Sequence, residues 1–530
     1  MFENLSLLDG LIILAYFATV FLLAWWVTIK ERRAKAENYG SSDYFLGGRN
    51  VGWFVIGASL FASNIGSEHL VGLAGSGAKG DFAAGQFELL ASLILIFLGW
   101  VFVPFYLKSG VYTMPEFLER RYSKGARNYL SIVSIVAYVL TKISLTILAG
   151  AIVFQVMGLS FWTGAIVVVL ATGIYTIFGG LRAVIYTDML QMFILIGGSI
   201  AITYFGLQAL GGWSGLTATI SEANQASGGS GSNFFNLWRP ADDPDYPWTG
   251  IVFGAPILGI WYWCTDQFIV QRVLSAKDIS NARRGTLFGG FLKVLPIFIF
   301  VVPGIIAFAL AQKGMVDLGG DPDTALPAII NQFMPVGLRG LVLAGLLAAL
   351  MSSLSSVFNS CSTLFTIDFY KQWRPESSEK HLVFVGQVAT VVLVGLSLAW
   401  IPILQTWLEG SSFYKILQSI QAYISPPIAA AFLLGLFVKR LNARGAIWAL
   451  WTGFVLGIVR LIYEVLAQNG AISPAPGSFL EYFISVNFLH YAVFLFVTCA
   501  AVMIIGSLTA PPHSAEKLKN VVYEKAEGSG

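Results

Sequence analysis

The stretch Ala62-Ser63-Asn64-Ile65-Gly66-Ser67-Glu68-His69 interrupts an apolar run that extends over residues 52–77. A second apolar run, over residues 249–271, is interrupted by Trp261-Tyr262-Trp263-Cys264-Thr265-Asp266-Gln267. Small and polar residues in mid-span release backbone hydrogen-bonding groups, which a membrane tolerates only where those groups line a site. Two such breaks, in the first members of two consecutive sets of five runs, predict an inverted repeat with a site near the midplane. The alternative is a pair of glycine-rich packing faces in an ordinary helix bundle.

The composition of the chain is typical of a membrane protein. Of its 530 residues, 56% are hydrophobic and 12% are charged, and the mean hydropathy is +0.72. Soluble domains carry about 25% charged residues, so the composition excludes a cytosolic enzyme, a secreted disulfide scaffold and a nucleic-acid-binding protein. The three cysteines have no metal-type spacing, and no cleavable signal peptide is evident. We therefore predict an all-α polytopic membrane protein.

Thirteen apolar runs are long enough to cross roughly 30 Å of hydrocarbon. They fall near residues 9–29, 52–77, 83–107, 128–157, 161–178, 184–208, 249–271, 286–312, 336–367, 382–407, 414–438, 445–468 and 483–508. Lys and Arg concentrate in cytoplasmic loops, and 24 of the 32 in this chain fall in alternate loops, among them Arg121 and Arg272. Six others, including Arg460, fall on the opposite side. This distribution predicts an outer N-terminus and an inner C-terminus.

The runs divide the chain into six parts. Two long outer connections, 209–248 and 313–335, are predicted to carry short surface helices, and the polar tail 511–530 is predicted to be disordered. The parts are an N-terminal helix and inner loop (1–50), a first inverted repeat (51–208), an external loop (209–248), a second inverted repeat (249–438), two additional helices (439–510) and a cytoplasmic tail (511–530).

Several ionisable side chains fall inside the apolar runs, where each one costs several kcal/mol unless it is paired or solvated. They are Glu68, His69, Glu88, Lys142, Asp188, Asp266 and Lys293. Such residues indicate an aqueous or protein-lined cavity, and each is therefore a candidate for the functional site.

A cation site is suggested by a serine-rich run that begins at Ser352-Ser353-Leu354-Ser355-Ser356. Hydroxyls three and four positions apart share one face of a helix, and hard cations prefer hydroxyl, carbonyl and carboxylate oxygens. Asp188, a lone carboxylate in the sixth run, could supply the negative charge. For the serines alone, close helix packing is the better explanation.

A second group of side chains matches a polyhydroxylated ligand, because each ligand hydroxyl both donates and accepts hydrogen bonds. The group consists of Asn64, His69, Phe87, Glu88, Tyr262, Trp263, Lys293 and Gln418. Individually, each has a structural alternative: Gln418 could join two helices, Trp263 could anchor an interface, and Lys293 could be the structural partner of Glu88.

Five blocks of the chain resemble the sodium/solute symporter family, and specifically its sodium/glucose cotransporter branch. They are Gly57-Ala58-Ser59-Leu60-Phe61-Ala62-Ser63-Asn64-Ile65-Gly66-Ser67 with His69, Ile174-Tyr175-Thr176-Ile177-Phe178-Gly179-Gly180-Leu181, Trp261-Tyr262-Trp263-Cys264-Thr265-Asp266-Gln267 with Val270-Gln271-Arg272, Leu350-Met351-Ser352-Ser353-Leu354, and Pro426-Pro427-Ile428-Ala429-Ala430. The resemblance implies a LeuT-type fold of five plus five inverted helices with flanking helices, and sodium-driven symport by alternating access.

The resemblance also implies the roles of particular residues. The sugar site would comprise Asn64, His69, Glu88, Tyr262, Trp263, Lys293 and Gln418, to which the pattern above adds Phe87. The first sodium site would use carbonyls of Ala62, Ile65 and Ala349 with the hydroxyls of Ser352 and Ser353. A second sodium site would use Asp188, Ser352, Ser355 and Ser356, which implies two sodium ions per sugar.

Three positions depart from the pattern of the family. Glu68 stands where the pattern of the animal cotransporters of this branch has glycine. Gly259 replaces a polar residue of their sugar site. His69 matches the animal members, whereas the bacterial galactose member has glutamine there. The long extra loop and the fourteenth helix of animal members have no counterpart in this pattern, which predicts a bacterial origin and therefore a location in the cell (inner) membrane.

We therefore expect a sodium-coupled symporter of glucose and/or galactose that works as a monomer. Sodium is the expected coupling ion, and no cofactor, catalytic residue or nucleic-acid partner is expected. The alternatives are a symporter of another polyol such as myo-inositol, and a sugar-gated sensor that binds without transport. A membrane-embedded enzyme is disfavoured because no nucleophile and base pair stands out.

Overall fold

A computed structural model of the protein describes residues 5–35, 38–66, 68–156, 158, 160–226, 235–407, 413–468 and 470–523. Over these ranges the chain forms helices and connecting segments, with isolated bridges but no strand. Ser67 of the first break and residues 524–530 of the tail lie outside them. The predicted all-α class is confirmed.

The helices of the first half of the chain are α1 (Leu7–Lys35), α2 (Ser41–Leu46), α3 (Trp53–Asn64), α4 (Ala74–Ala78), α5 (Gln86–Phe97), α6 (Val103–Ser109), α7 (Met114–Arg121), α8 (Lys124–Ala137), α9 (Ser144–Val156), α10 (Phe161–Leu210) and α11 (Trp213–Ala226). Those of the second half are α12 (Trp248–Phe253), α13 (Ala255–Gly259), α14 (Gln267–Leu274), α15 (Ile279–Leu292), α16 (Val302–Gln312), α17 (Ala325–Phe333), α18 (Leu338–Thr363), α19 (Lys371–Trp373), α20 (Glu379–Trp407), α21 (Phe413–Phe437), α22 (Ala443–Gln468), α23 (Phe479–Ser485), α24 (Phe488–Leu508) and α25 (Ala515–Leu518). Helices α11 and α17 lie in the two long connections, where short helices were predicted.

Ten helices within the described ranges are long and apolar enough to cross a membrane. One of them, α10, has 50 residues and would extend about 75 Å at 1.5 Å per residue. Gly180 breaks α10 with φ 59° and ψ −164°, a conformation that favours glycine. This break separates the two runs that were predicted as the spans 161–178 and 184–208.

Both predicted breaks are present in the structure. Helix α3 ends at Asn64, and Ile65 is extended with ψ 102° before a π-helical segment begins at Glu68. The second break falls at Asp266, which is extended with ψ 128°. Its carboxylate accepts a hydrogen bond of 3.0 Å from the backbone N–H of Phe268 and so caps α14.

The two broken segments run in opposite directions. The backbone N–H of Val51, just before α3, donates to the carbonyl of Ser275, just after α14, at 3.0 Å. The N–H of Lys277 returns a 3.3 Å bond to the Val51 carbonyl. The first broken segment therefore begins where the second one ends. The two segments also meet near their breaks, where Asn64 donates to the Tyr262 hydroxyl, and α10, α15 and α18 pack against α3.

The prediction that the tail 511–530 is disordered is wrong for its described part. Val521 and Val522 are buried, and the backbone N–H of Tyr523 donates to the carbonyl of Leu436 at 2.7 Å. The few apolar residues of an otherwise polar tail cover the end of α21. Carbonyls in the last turn of a helix lack partners within the helix, and the tail supplies one to the carbonyl of Leu436.

Three arginines that the charge count assigned to one side of the membrane or the other are fully buried: Arg121, Arg272 and Arg460. Arg460 pairs with Glu464 one turn away, at 3.0 Å. Buried cations need a carboxylate or several carbonyls as partners, and such partners come from helices that only the fold brings near. The charge count therefore included cations that stabilise the bundle.

Arg121 joins the end of α7 to the end of α21. Its guanidinium donates to the carbonyls of Gly435 at 2.8 Å, Val438 at 3.0 Å and Leu441 at 3.0 Å. Because hydrogen bonds from a charged group contribute about 1.5–3 kcal/mol each, Arg121→Met is expected to lower the thermal unfolding midpoint of the purified protein by several degrees. The exposed Lys124→Met is the matched control, and equal midpoints for the two variants would contradict the assignment.

Candidate functional site

A cavity lies between the two breaks. Its lining comes from the first broken segment, from α5 and α13, from the second broken segment and from α21. The lining residues are Asn64, Glu68, His69, Phe87, Glu88, Leu90, Ala91, Ile94, Ala255, Leu258, Gly259, Tyr262, Trp263, Gln418 and Gln421. Every residue predicted for the ligand site is in this set except Lys293.

Lys293 lies behind the cavity wall and is fully buried at the end of α15. Its ammonium forms an ion pair with Glu88, donates to the side-chain oxygen of Asn64 and lies 3.2 Å from His69 Nε2. His69 Nε2 is also 3.1 Å from Glu88 Oε1. A single cation therefore contacts three polar side chains of the cavity. The structural alternative for Lys293, a partner of Glu88, is observed, and a direct role in ligand binding stays a prediction.

His69 keeps one polar atom without a partner among the described residues, its buried Nδ1. A buried polar atom that lacks a partner costs free energy unless a ligand or water supplies one. A ligand hydroxyl in the cavity is suited to this role because it can donate or accept.

Tyr262 stands between the polar groups of the cavity and Lys142. Its hydroxyl accepts hydrogen bonds from Asn64 Nδ2 at 2.7 Å and from Lys142 Nζ at 3.1 Å. The Lys142 ammonium also lies 4.3 Å from the centre of the Tyr262 ring, a cation–π distance. Both breaks are thus joined through this hydroxyl, because Asn64 ends α3 and Tyr262 belongs to the second broken segment.

Aromatic rings cover other parts of the cavity. Trp263 packs edge-on against Tyr262 with ring centres 5.1 Å apart. Phe87 meets Tyr246, in the connection before α12, at 6.2 Å. A ring face of this kind suits the C–H face of a sugar, while the ring edges exclude water.

Sequence reasoning missed part of the lining. Gln421 is three residues after Gln418 on α21 and lines the same cavity, so helical spacing could have identified it. Gly259 fits its position because an added Cβ would collide with the Ile94 side chain, which lets α13 approach α5 closely. The apolar members, such as Leu258, carried no signal that distinguishes them from ordinary core residues.

Some of the residues of the first predicted cation site lie close together. The Ser353 hydroxyl donates to the carbonyls of Ser63 at 2.9 Å and Ile65 at 3.3 Å, so α18 meets the first break. Ala62 is among the last residues of α3, whose carbonyls lack helical partners, and Ala349 precedes Ser353 by one turn of α18. The Ser352 hydroxyl instead donates to Asp188.

The second predicted cation site contains a protein cation. Asp188 is fully buried, and its carboxylate pairs with Arg272 at 3.4 Å and accepts a 2.6 Å bond from Ser59. Asp188 is the only carboxylate of the sixth apolar run, as predicted, but its negative charge already has a partner in Arg272. Arg272 comes from α14, next to the second break, and its pairing with a residue of α10 required the fold to be known.

The remaining hydroxyls of this group bond to backbone rather than to Asp188. Those of Ser355 and Ser356 donate to the Ser352 carbonyl at 2.9 Å and 2.7 Å. Arg272 also donates to the Ser356 hydroxyl. The structure therefore brings Asp188, Ser352 and Ser356 around the Arg272 guanidinium, while Ser355 turns back toward its own helix.

Comparison with known proteins agrees with this architecture. Residues 44–453 match the sodium:solute symporter family. The chain is 42% identical over 530 residues to sodium/glucose cotransporter 1 of Oryctolagus cuniculus, with 95% of this chain and 79% of that protein covered. It is 38% identical over 545 residues to the sodium/myo-inositol cotransporter of Homo sapiens, with 97% and 75% covered.

A solved structure of a Na⁺-coupled sialic acid symporter, substrate-bound and outward-open, has the same fold. Its TM-score is 0.77 at 24% sequence identity, and 96% of this chain and 99% of that one are covered. The long apolar helices and the matches to symporters together define a multi-pass membrane transporter. The chain belongs to the sodium:solute symporter family.

Proposed function

We propose that the protein carries a monosaccharide, glucose and/or galactose, across the membrane together with sodium by alternating access. The observation that carries the proposal is the Lys293 network, in which one buried cation aligns Asn64, His69 and Glu88 along a single cavity. Amide, imidazole and carboxylate groups in one wall match the alternating donors and acceptors of a sugar. The solute leaves chemically unchanged, so the activity is transport.

The proposed sugar ligands are the polar residues Asn64, His69, Glu88 and Gln418, with Phe87, Trp263 and Tyr262 as aromatic surfaces and Lys293 as the buried support. Tyr262 closes the cavity on the side of Lys142. Sugar binding favours closure because these contacts form only when both broken segments surround the ligand, and a ligand shifts a conformational equilibrium only by its differential affinity.

Two sodium ions per sugar are part of the proposal. One would bind at Ala62, Ile65, Ala349, Ser352 and Ser353, and the other at Asp188, Ser352, Ser355 and Ser356. For the second ion to bind Asp188, the Arg272 guanidinium must move away from it. Each sodium ion contributes about 2.3 kcal/mol of driving energy per 100 mV, and sodium and sugar must strengthen each other's binding reciprocally.

The proposed topology has thirteen crossings. Ten come from the long apolar helices, an eleventh from the division of α10 at Gly180, and two from the broken segments. The repeats would occupy 51–208 and 249–438, with 1–50 and 439–510 as flanking parts, 209–248 as an external loop and 511–530 as an inner tail. The N-terminus lies outside, the membrane is the inner membrane of a bacterium, and the monomer is the functional unit.

Myo-inositol is the second candidate solute, and the 38% identity to a sodium/myo-inositol cotransporter favours it. Like a monosaccharide, this polyol presents hydroxyls around a six-membered ring. The same cavity could therefore hold either solute, and competition between them distinguishes the two.

Uptake into proteoliposomes tests the function. With an inward sodium gradient and an inside-negative potential, labelled glucose is expected to accumulate above its outside concentration, and replacing sodium by choline should abolish accumulation. Unlabelled galactose and myo-inositol, added separately, rank the solutes by inhibition. Binding of sugar without sodium-driven accumulation would contradict symport and indicate a sensor.

A further inference from the structure

Glu68 is a charged residue of the cavity to which the resemblance assigns no role. It begins the π-helical segment that follows the first break, and 15% of its side chain is exposed. It therefore lies where the first sodium site and the sugar cavity meet.

The two oxygens of the Glu68 carboxylate face different groups. Oε1 is 3.8 Å from the ammonium of Lys142. Oε2 is on the side of Gly66, where an added Cβ would lie 2.9 Å from Oε2 and 2.6 Å from the Ser353 hydroxyl. Because both oxygens lie this close to the same point, Glu68 Oε2 and Ser353 Oγ are at most 5.5 Å apart.

Gly66 permits this approach because it has no side chain. A Cβ at this position would be closer to both oxygens than side-chain atoms allow. The Ser353 hydroxyl in turn lies 3.3 Å from the Ile65 carbonyl. The carboxylate thus lies near the Ser353 hydroxyl, one of the oxygens that the proposed first sodium site would use.

We propose that Glu68 is a positioning residue that sets the sodium affinity of the first site and transmits sodium occupancy to the Tyr262 side of the sugar cavity. The proposal rests on the proposed function, because it takes the site at Ile65 and Ser353 as given. The ligands of that site are neutral oxygens, so a carboxylate within about 6 Å supplies negative charge that little water screens. The Lys142 ammonium opposes this field.

The connection to the sugar runs through Lys142. Its ammonium lies between the Glu68 carboxylate and the Tyr262 hydroxyl, to which it donates at 3.1 Å. A sodium ion beside Glu68 competes with Lys142 for the carboxylate. Sodium entry thereby weakens the contact of Lys142 with Glu68 and strengthens its existing interaction with Tyr262, so the Tyr262 side of the cavity responds to the ion.

Direct binding of ²²Na⁺ to the purified protein without sugar tests the inference. For Glu68→Gln we expect the sodium Kd to rise about tenfold, whereas the exposed Glu376→Gln, the matched control, should match the wild type. Glu68→Asp keeps the charge, so its log Kd for sodium should lie at least halfway back from the Glu68→Gln value to the wild-type value. Lys142→Gln removes the opposing cation and should lower the sodium Kd, a change of opposite sign that a merely structural role does not produce.

The outcomes separate this inference from the proposed function. If the wild type binds sodium and accumulates sugar while folded Glu68→Gln keeps the wild-type sodium Kd, the inference is overturned and the proposed function stands. A higher Kd for Lys142→Gln also overturns the inference. If the wild type binds no sodium, the proposed function fails, and the inference fails with it.

Discussion

Lys293→Met is expected to lower sodium-driven sugar uptake at least about 100-fold. Removing one partner of a buried ion pair costs about 3–5 kcal/mol, and each 1.4 kcal/mol is about a tenfold change in affinity. The variant leaves Glu88 buried without its cation and withdraws a hydrogen bond from Asn64. Both residues line the cavity, so the loss falls on sugar binding directly.

A double variant separates folding from binding in this case. Glu88→Gln/Lys293→Met removes both charges, so its thermal midpoint should lie closer to the wild type than that of Lys293→Met. Its uptake should remain as low, because Asn64 and His69 still lack the ammonium. The exposed Lys313→Met serves as the control. Uptake by folded Lys293→Met within about threefold of the wild type, less than 1 kcal/mol, would rule out the role assigned to Lys293.

Asp188→Asn is expected to reduce the Hill coefficient for sodium-dependent uptake from about two toward one, because it removes the carboxylate charge of the second site. It also leaves the Arg272 guanidinium fully buried without a carboxylate, which costs about 3–5 kcal/mol. We therefore expect a large loss of folded protein in addition to the change in sodium dependence.

The double variant Asp188→Asn/Arg272→Gln removes this charge imbalance. It should restore much of the folded protein while the Hill coefficient stays near one, since the site still lacks its carboxylate. The exposed Asp242→Asn is the matched control. Sodium titrations of uptake at fixed potential provide the measurement, and a coefficient that stays near two in either Asp188 variant would exclude a second ion at Asp188.

Much of the candidate site could be predicted from local sequence. The breaks at Ile65 and Asp266 follow from small and polar residues inside apolar runs, and both are extended in the structure. The ionisable residues inside those runs also led to the cavity, because a charge in hydrocarbon requires a partner or a polar site. Glu88 and Lys293 are such a pair.

Other parts of the site could not be predicted in this way. Arg272 was counted among the loop cations, but it pairs with Asp188, 84 positions away in the chain. An arginine is compatible with a loop in water or with a buried carboxylate as partner. The fold decides between them, because it brings Arg272 of α14 to Asp188 of α10. The docked tail near Tyr523 is a similar case, since its burial depends on the exposed end of α21.

The sequence alone determined the membrane class of this protein, the positions of both helix breaks and most of the polar residues of the cavity. These properties are local, because the length of an apolar run and the residues that interrupt it decide where a helix can cross and where it must open. Only the tertiary structure decided which charges meet. Ion pairs such as Asp188–Arg272 and Glu68–Lys142 form between distant segments, and their energies depend on separation and burial, which the order of residues does not contain.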